Sequence, residues 1–247
     1  MKASISSPFV AAALAPVLLL GLGGCAATQV ALEHKDLSVQ TQMSNTVFLD
    51  LENRVQKTVY LDVRNTSSSN LAIEPIIRAR LEQAGYQLPS DPMEAYYILQ
   101  VNVLHVGTSN PSALYSSIRS GFGGPLAGGL TGAAIGATTS SANGNLKGAV
   151  IGSALELIAG SLVKDVTYSI ITDIQITERS VDPVAQKLQS NFQQGADTQI
   201  TQSSDHVSDR KKYRTRVVSS ANKVNLKFEA ALPQLETQLA RSIAGIF

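Results

Sequence analysis

Apolar and polar residues alternate at 46–51, where Val47, Phe48 and Leu49 lead to Asp50 and Leu51, and again at 58–63. Both stretches read as strands, and the turn-rich run 65–70 follows them. Over 71–84 the period changes. Ile73, Ile76, Ile77, Leu81 and Ala84 share one helical face, and Gly85 stands where a left-handed residue would end the helix. Residues 95–106, from Ala95 through two tyrosines to Val106, are aromatic and β-branched and long enough for a central strand. A further strand at 166–177 sets Val166, Tyr168, Ile170, Ile174 and Ile176 on one face, with Ser169, Asp173 and Gln175 on the other. Residues 186–210 are rich in Gln, Ser, Asp and Thr, with Leu188, Phe192, Ile200 and Val207 as the large apolar exceptions; they read as an exposed hairpin or loop. A strand at 212–219 comes next. Val224, Phe228, Leu232, Leu235, Leu239 and Ile243 then recur at helical spacing. Pro233 inside that run should kink the helix or mark its first turn. The same residues also allow Val224, Leu226 and Phe228 to extend the strand, with the helix starting near Ala231. The order β-β-α-β, insert, β-β-α predicts an α+β domain with a small mixed sheet and amphipathic helices, interrupted at its middle.

The amino terminus follows a different logic. Lys2, an apolar stretch at 9–22 broken by Pro16, and small residues before Cys25 form a secretory signal peptide over 1–24. Leu22-Gly23-Gly24-Cys25 matches a bacterial lipobox, in which the cysteine sulfur receives diacylglycerol before cleavage and the new amine an acyl chain. Cys25 is the only cysteine of the 247 residues, so no disulfide within the chain can staple the fold. Ala26, rather than Asp, follows it, as in enteric lipoproteins sent to the outer membrane.

Between the two halves lies a segment of different composition. Eleven of the 18 glycines fall between Gly121 and Gly160, where the only charges are Lys147 and Glu156. Residues 122–139 and 148–163 would span about 27 and 24 Å as helices, lengths that approach a thin bilayer core. Gly124, Gly128, Gly132 and Gly136 recur every fourth residue, and Gly148, Gly152 and Gly160 repeat the device. Ridges of this kind let helices pack closely in lipid. Glu156 fills the vacant slot of the second ridge and, as an intramembrane carboxylate, should face another helix or a wet lumen. These features predict a transmembrane α-helical hairpin over 119–164, inserted as copies assemble; a flexible loop is the alternative, which Pro125 and the lack of tryptophan favour. The domain plan is then 1–24 signal peptide, 25–118 first half of the α+β domain, 119–164 hairpin, and 165–247 second half.

Charge and motifs narrow the function. Twenty Lys and Arg face 19 Asp and Glu, a balance that argues against nucleic acid as a partner. His34, His105 and His206 are scattered, and no metalloprotease, hydrolase, P-loop or dinucleotide fingerprint appears. No catalytic residue, metal site or cofactor is therefore expected apart from the covalent lipid. Asp50, Asp62 and Asp173 read as solvated carboxylates on strands. Arg210, Lys211 and Lys212, with Arg214 and Arg216, read as a solvated strand edge, with an electrostatic contact to anionic lipopolysaccharide as the alternative.

Leu37-Ser-Val-Gln-Thr-Gln-Met-Ser44, Arg64-Asn-Thr-Ser67, the runs 95–104 and 165–179, and above all 213–229 with Ser220-Ala-Asn-Lys-Val-Asn225 resemble the TraT family. These are outer-membrane lipoproteins of conjugative plasmids. The resemblance covers nearly the whole mature chain and departs from the family at the tip of the glycine segment and at 186–210. It implies a lipid-anchored, surface-exposed homo-oligomer, in outline a ring, that acts sterically in surface exclusion and complement resistance. Its partners would be further copies of itself, outer-membrane lipids, and an outer-membrane protein or pilus tip of the mating system. A competing reading is an oligomeric export channel whose hairpins line a pore with Glu156 facing the lumen.

Overall fold

A computed structural model describes residues 34–50, 57–126, 155–157, 164–194 and 198–247, and within these the side chains other than 155–157, 181–183, 185–194 and 198–207. In chain order the elements are β1 (Ser38–Met43), β2 (Val59–Asn65), α1 (Glu74–Gln83), β3 (Tyr97–Thr108), α2 (Pro111–Ser120), β4 (Leu155–Leu157), β5 (Lys164–Gln194), β6 (Thr198–Val224) and α3 (Phe228–Ala244). The sheet runs β1-β6-β5-β3-β2, with β4 paired to β5 off this path. β2 and β3 are parallel and joined through α1, the crossover that parallel pairing requires, and every other pair is antiparallel. Strand outweighs helix.

One face of the sheet is apolar. Val59, Leu61, Leu99, Val101, Val103, Ile170, Ile174, Ile176, Val217 and Ala221 form it, and α1 and α3 cover it with Ile77, Leu81, Leu235, Leu239 and Ile243. Strand β3 keeps strict alternation up to Val103; an irregularity in register before His105 then restores Val106 to the core side. Helix α1 starts on Glu74 and Pro75, gains a 3.0 Å Arg78–Glu74 pair one turn apart, and ends at Gly85 with φ +86°. In α3, Pro233 lies in the second turn on the exposed side, while Ala231, Leu235, Leu239, Ala240 and Ile243 are buried. The strand therefore ends at Val224, the chain turns at Asn225 with φ +50°, and the helix begins at Phe228.

Three expectations change. The alternation at 46–51 is not a strand over its described residues 46–50, where Phe48 is exposed and Leu49 buried; the first strand is the uncharged Ser38–Met43 instead. Helix α2 is not among the elements that the periodicity predicts, although Asn110 caps it by accepting from the Ala113 N–H at 2.7 Å and Pro111 opens it. Most importantly, the fold class with a transmembrane helical hairpin does not hold. No helix among the described residues is long and apolar enough to cross a membrane. The reason is local geometry at both ends of the segment. Gly121 and Gly123 take φ of +66° and +70°, which stops α2 at Ser120 and turns the chain where the first membrane helix was to start. At the other end Leu155–Leu157 pairs as β4 with Lys164–Val166, so Glu156 belongs to a strand opposite Asp165 rather than to a glycine-ridged helix. The remaining ridge positions Gly128, Gly132, Gly136, Gly148, Gly152 and Gly160 lie outside the described residues, as do Cys25 and the signal peptide.

Candidate functional site

The opposite face of the sheet is polar, and its side chains are ordered in rows by the strand register. Asp62, Gln100, Gln175 and Arg214 stand side by side across β2, β3, β5 and β6. They form a chain of hydrogen bonds: Gln100 donates to Asp62 at 3.2 Å, Gln175 to Gln100 at 2.8 Å, and Arg214 Nε to Gln175 at 2.7 Å. Arg64 closes the row with a 3.2 Å contact to Asp62. The Arg214 guanidinium also lies 5.2 Å from the centroid of the Phe122 ring. A cavity of about 210 Å³ opens here, lined by Asp62, Arg64, Gln100, Asn102, Phe122 and Gln175 among others.

The next row holds a buried pair of opposite charges. Arg216 and Asp173 are register partners, and both side chains are withdrawn from water. Arg216 grips the carboxylate with two N–H groups, Nε to Oδ1 at 2.6 Å and Nη2 to Oδ2 at 3.0 Å. Its remaining N–H groups reach the exit of α2: Nη1 donates to the Ser117 carbonyl at 3.3 Å and Ser120 Oγ at 2.9 Å, and Nη2 to the Gly124 carbonyl at 2.8 Å. Asp173 Oδ2 accepts in turn from the Gly123 N–H at 2.8 Å. Ala113 and Leu114 of α2 pack on Ile171 and Val218 beside this pair, with Leu126 against the same cluster. The pair therefore fastens the root of the glycine-rich segment to the sheet.

Gly124 is the ridge glycine that the structure describes, and its role differs from helix packing. A Cβ there would collide with the Ser120 carbonyl, so the position is small because the chain folds back on the end of α2. Asp173 and Arg216, read from the sequence as solvated, are instead a structural pair. Their signal was present: an aspartate interrupts the apolar run Ile170-Ile171-Thr172-Asp173-Ile174, and an arginine stands at the same depth of the next strand. Asp50 is paired too, 3.2 Å from Lys211, and that contact raises the lysine pKa.

A second polar cluster lies at the margin of the core. Tyr213 donates to buried Glu178 Oε2 at 2.9 Å, and burial together with that carboxylate pushes the Tyr213 phenol well above its ordinary range. Burial raises the pKa of neighbouring Tyr96, and Glu178 adds to it. Near α2, burial lowers the His105 pKa, and its Nε2 lies 3.3 Å from Ser109 Oγ. The described residues contain no cluster of three or more His, Cys, Asp or Glu suited to a metal. A groove of about 530 Å³ runs between α2 and β1, with Leu114, Tyr115, Ile118 and Val218 on its walls and His34 and Asp165, 3.0 Å apart, among its lining.

Together the buried pair and the hydrogen-bonded row fasten the end of α2 to the polar face of the sheet. The family model described as Enterobacterial TraT complement resistance protein matches residues 36–247. The chain belongs to the TraT family. A TraT complement resistance protein of Escherichia coli is 37% identical over 248 residues, covering 100% of both chains. Its counterpart in Escherichia coli strain K12 is 39% identical over 92% of this chain and 93% of its own. A more distant TraT complement resistance protein, from Wigglesworthia glossinidia brevipalpis, is 26% identical over 94% of this chain and 93% of its own. The TraT match takes in every described element from β1 to α3.

Proposed function

We propose that this TraT-family chain is a lipoprotein of the outer membrane that is exposed at the cell surface as a homo-oligomer. There it lowers killing by complement and hinders a donor cell from stabilising a mating pair. The observation that carries this reading is the 37% identity over the full length of both chains to a protein named for complement resistance. The lipobox around Cys25 supplies the anchor, since acyl chains contribute about 0.8 kcal/mol per buried CH2 and several chains on one cysteine hold firmly. Both activities follow from occupying space at the surface, and neither calls for a catalytic group. The structural use of Asp173 and Arg216 is in keeping with that, because this buried pair holds a segment in place.

The test is survival in serum of a sensitive strain expressing the wild-type chain or Cys25→Ala, alongside its performance as a mating recipient. Wild type should raise survival and lower transconjugant yield, and Cys25→Ala should lose both effects while the protein still accumulates. Survival equal to the empty vector would overturn the complement reading. An unchanged mating frequency would overturn the exclusion reading.

A further inference from the structure

Strands β5 and β6 are 31 and 27 residues long, far longer than the sheet needs. Pairing of β3 with β5 ends at Tyr97↔Glu178, and pairing of β1 with β6 ends at Met43↔Val217. Beyond an irregularity between Arg179 and Val184 the two strands continue alone, from Val184↔Ser208 to Gln194↔Thr198. This arm extends roughly 35 Å at about 3.3 Å per residue. Among the described residues no strand pairs with either of its outer edges. A two-stranded ribbon in water is marginal by itself, and its edges offer rows of N–H and C=O groups to any passing strand.

Proteins ordinarily blunt such edges with charge, proline or a bulge. The arm has these only at its base, where the irregular register, Pro183 and the opposed Lys187↔Asp205 are found. From Leu188↔Ser204 to Gln194↔Thr198 neither strand carries a charge, a proline or a glycine, and Gln, Ser, Thr and Asn fill most places. The outer half of the arm is therefore left open to strand addition while the base is guarded.

We infer that the two outer edges of the arm are the assembly surface, the β5 edge of one copy pairing with the β6 edge of the next. A second copy fits better than a foreign strand, because a single foreign strand would cover one edge and leave the other open. Copies added edge to edge cover both, and the series closes when the rotation between copies returns the last arm to the first. Charge agrees. Over 184–194 and 198–208 the β5 edge has Lys187 as its one charge and the β6 edge Asp205, so unlike edges attract and like edges repel. The inference rests on the homo-oligomer reading above and adds its interface.

The experiment uses the full-length chain in detergent. Wild type should have the mass of several chains, and Thr201→Lys/Ser203→Lys, which places two charges on the β6 edge, should have the mass of one with its far-ultraviolet spectrum retained. Differently tagged chains carrying Gln189→Cys or Ser203→Cys are then co-expressed and treated with short and long bismaleimides. Because these positions are opposed within one arm, a covalent mixed dimer reports contact between arms of different copies, and neither variant alone should give one. A wild type of several chains with no mixed dimer, or with its mass unchanged in the lysine variant, overturns this interface and leaves the oligomer reading standing. A wild type of one chain overturns both. Serum survival is read separately, so loss of that activity bears on the complement reading alone.

Discussion

A carboxylate and a guanidinium removed from water each lose several kcal/mol of hydration, and their mutual attraction restores this only where geometry is good and every donor is used. Arg216 meets that condition through five hydrogen bonds to Asp173, Ser117, Ser120 and Gly124. Removing one partner is a different matter from removing both. Arg216→Met leaves the Asp173 charge buried against the Gly123 N–H alone and should destabilise the chain by about 3–5 kcal/mol. Asp173→Leu/Arg216→Met, which takes away both charges, should recover much of that loss. Equilibrium denaturation of the three chains checks the ordering, and a double variant no better than the single would mean that the hydrogen bonds to the segment, not the charges, carry the effect. Arg216→Lys should also fail to restore stability, since one ammonium cannot span the carboxylate and the end of α2 together.

At the scale of elements, legibility followed periodicity. The strand at 166–177 is readable because one face of β5 is apolar from Val166 to Ile176 with Thr172 as its one break, and α1 because Ile73, Ile77 and Leu81 return once per turn beneath Gly85. Helix α2 is hard to read because its apolar stripe is short, Ala113, Leu114 and Ile118 alone, and small polar residues fill most of Pro111-Ser-Ala-Leu-Tyr-Ser-Ser-Ile-Arg-Ser120. Asp173 and Arg216 were misjudged because alternation assigns a face without saying what covers it. The glycine spacing misled for a related reason, since a four-residue repeat fits helix ridges but does not establish a helix. Gly123 and Gly124 show the distinction between backbone and space. A Cβ at Gly123 meets nothing within 4 Å, but φ is +70°, so Gly123→Ala should cost about 1–2 kcal/mol in backbone conformation. At Gly124 the obstacle is the Ser120 backbone, and Gly124→Ala should cost about 1–3 kcal/mol through displacement of the chain. It should also free the Arg216 contact to the Gly124 carbonyl. Limited proteolysis after residue 120 separates the cases: cleavage should quicken in Gly124→Ala much more than in Gly123→Ala.

The whole molecule divides into a body, whose sheet is closed by α1, α3 and α2, and an arm formed by continuing two of its strands. The described hydrophobic core lies within the body. If the arm serves assembly, stability should show two components, an intrinsic one from the body and one set by mass action between copies. Folding of the body alone should be independent of concentration, whereas a contact that exists only between folded copies raises the melting temperature as the chain is concentrated. A chain in which 180–209 is replaced by Asn-Gly, a two-residue turn joining the register partners Arg179 and Arg210, keeps every core residue of the body. Its Tm should stay constant on tenfold dilution. Wild type should lose about 1.4 kcal/mol per tenfold dilution for each contact that dissociates on unfolding. For a chain of this size that is a fall of roughly 3–6 °C. Calorimetry of both chains in the same detergent over a hundredfold concentration range makes the comparison. Equal concentration dependence in the two would place the contacts between copies on the body, with β1, the end strand of the described sheet, as the next surface to examine; none in either would show that the folded chain gains no stability from its copies.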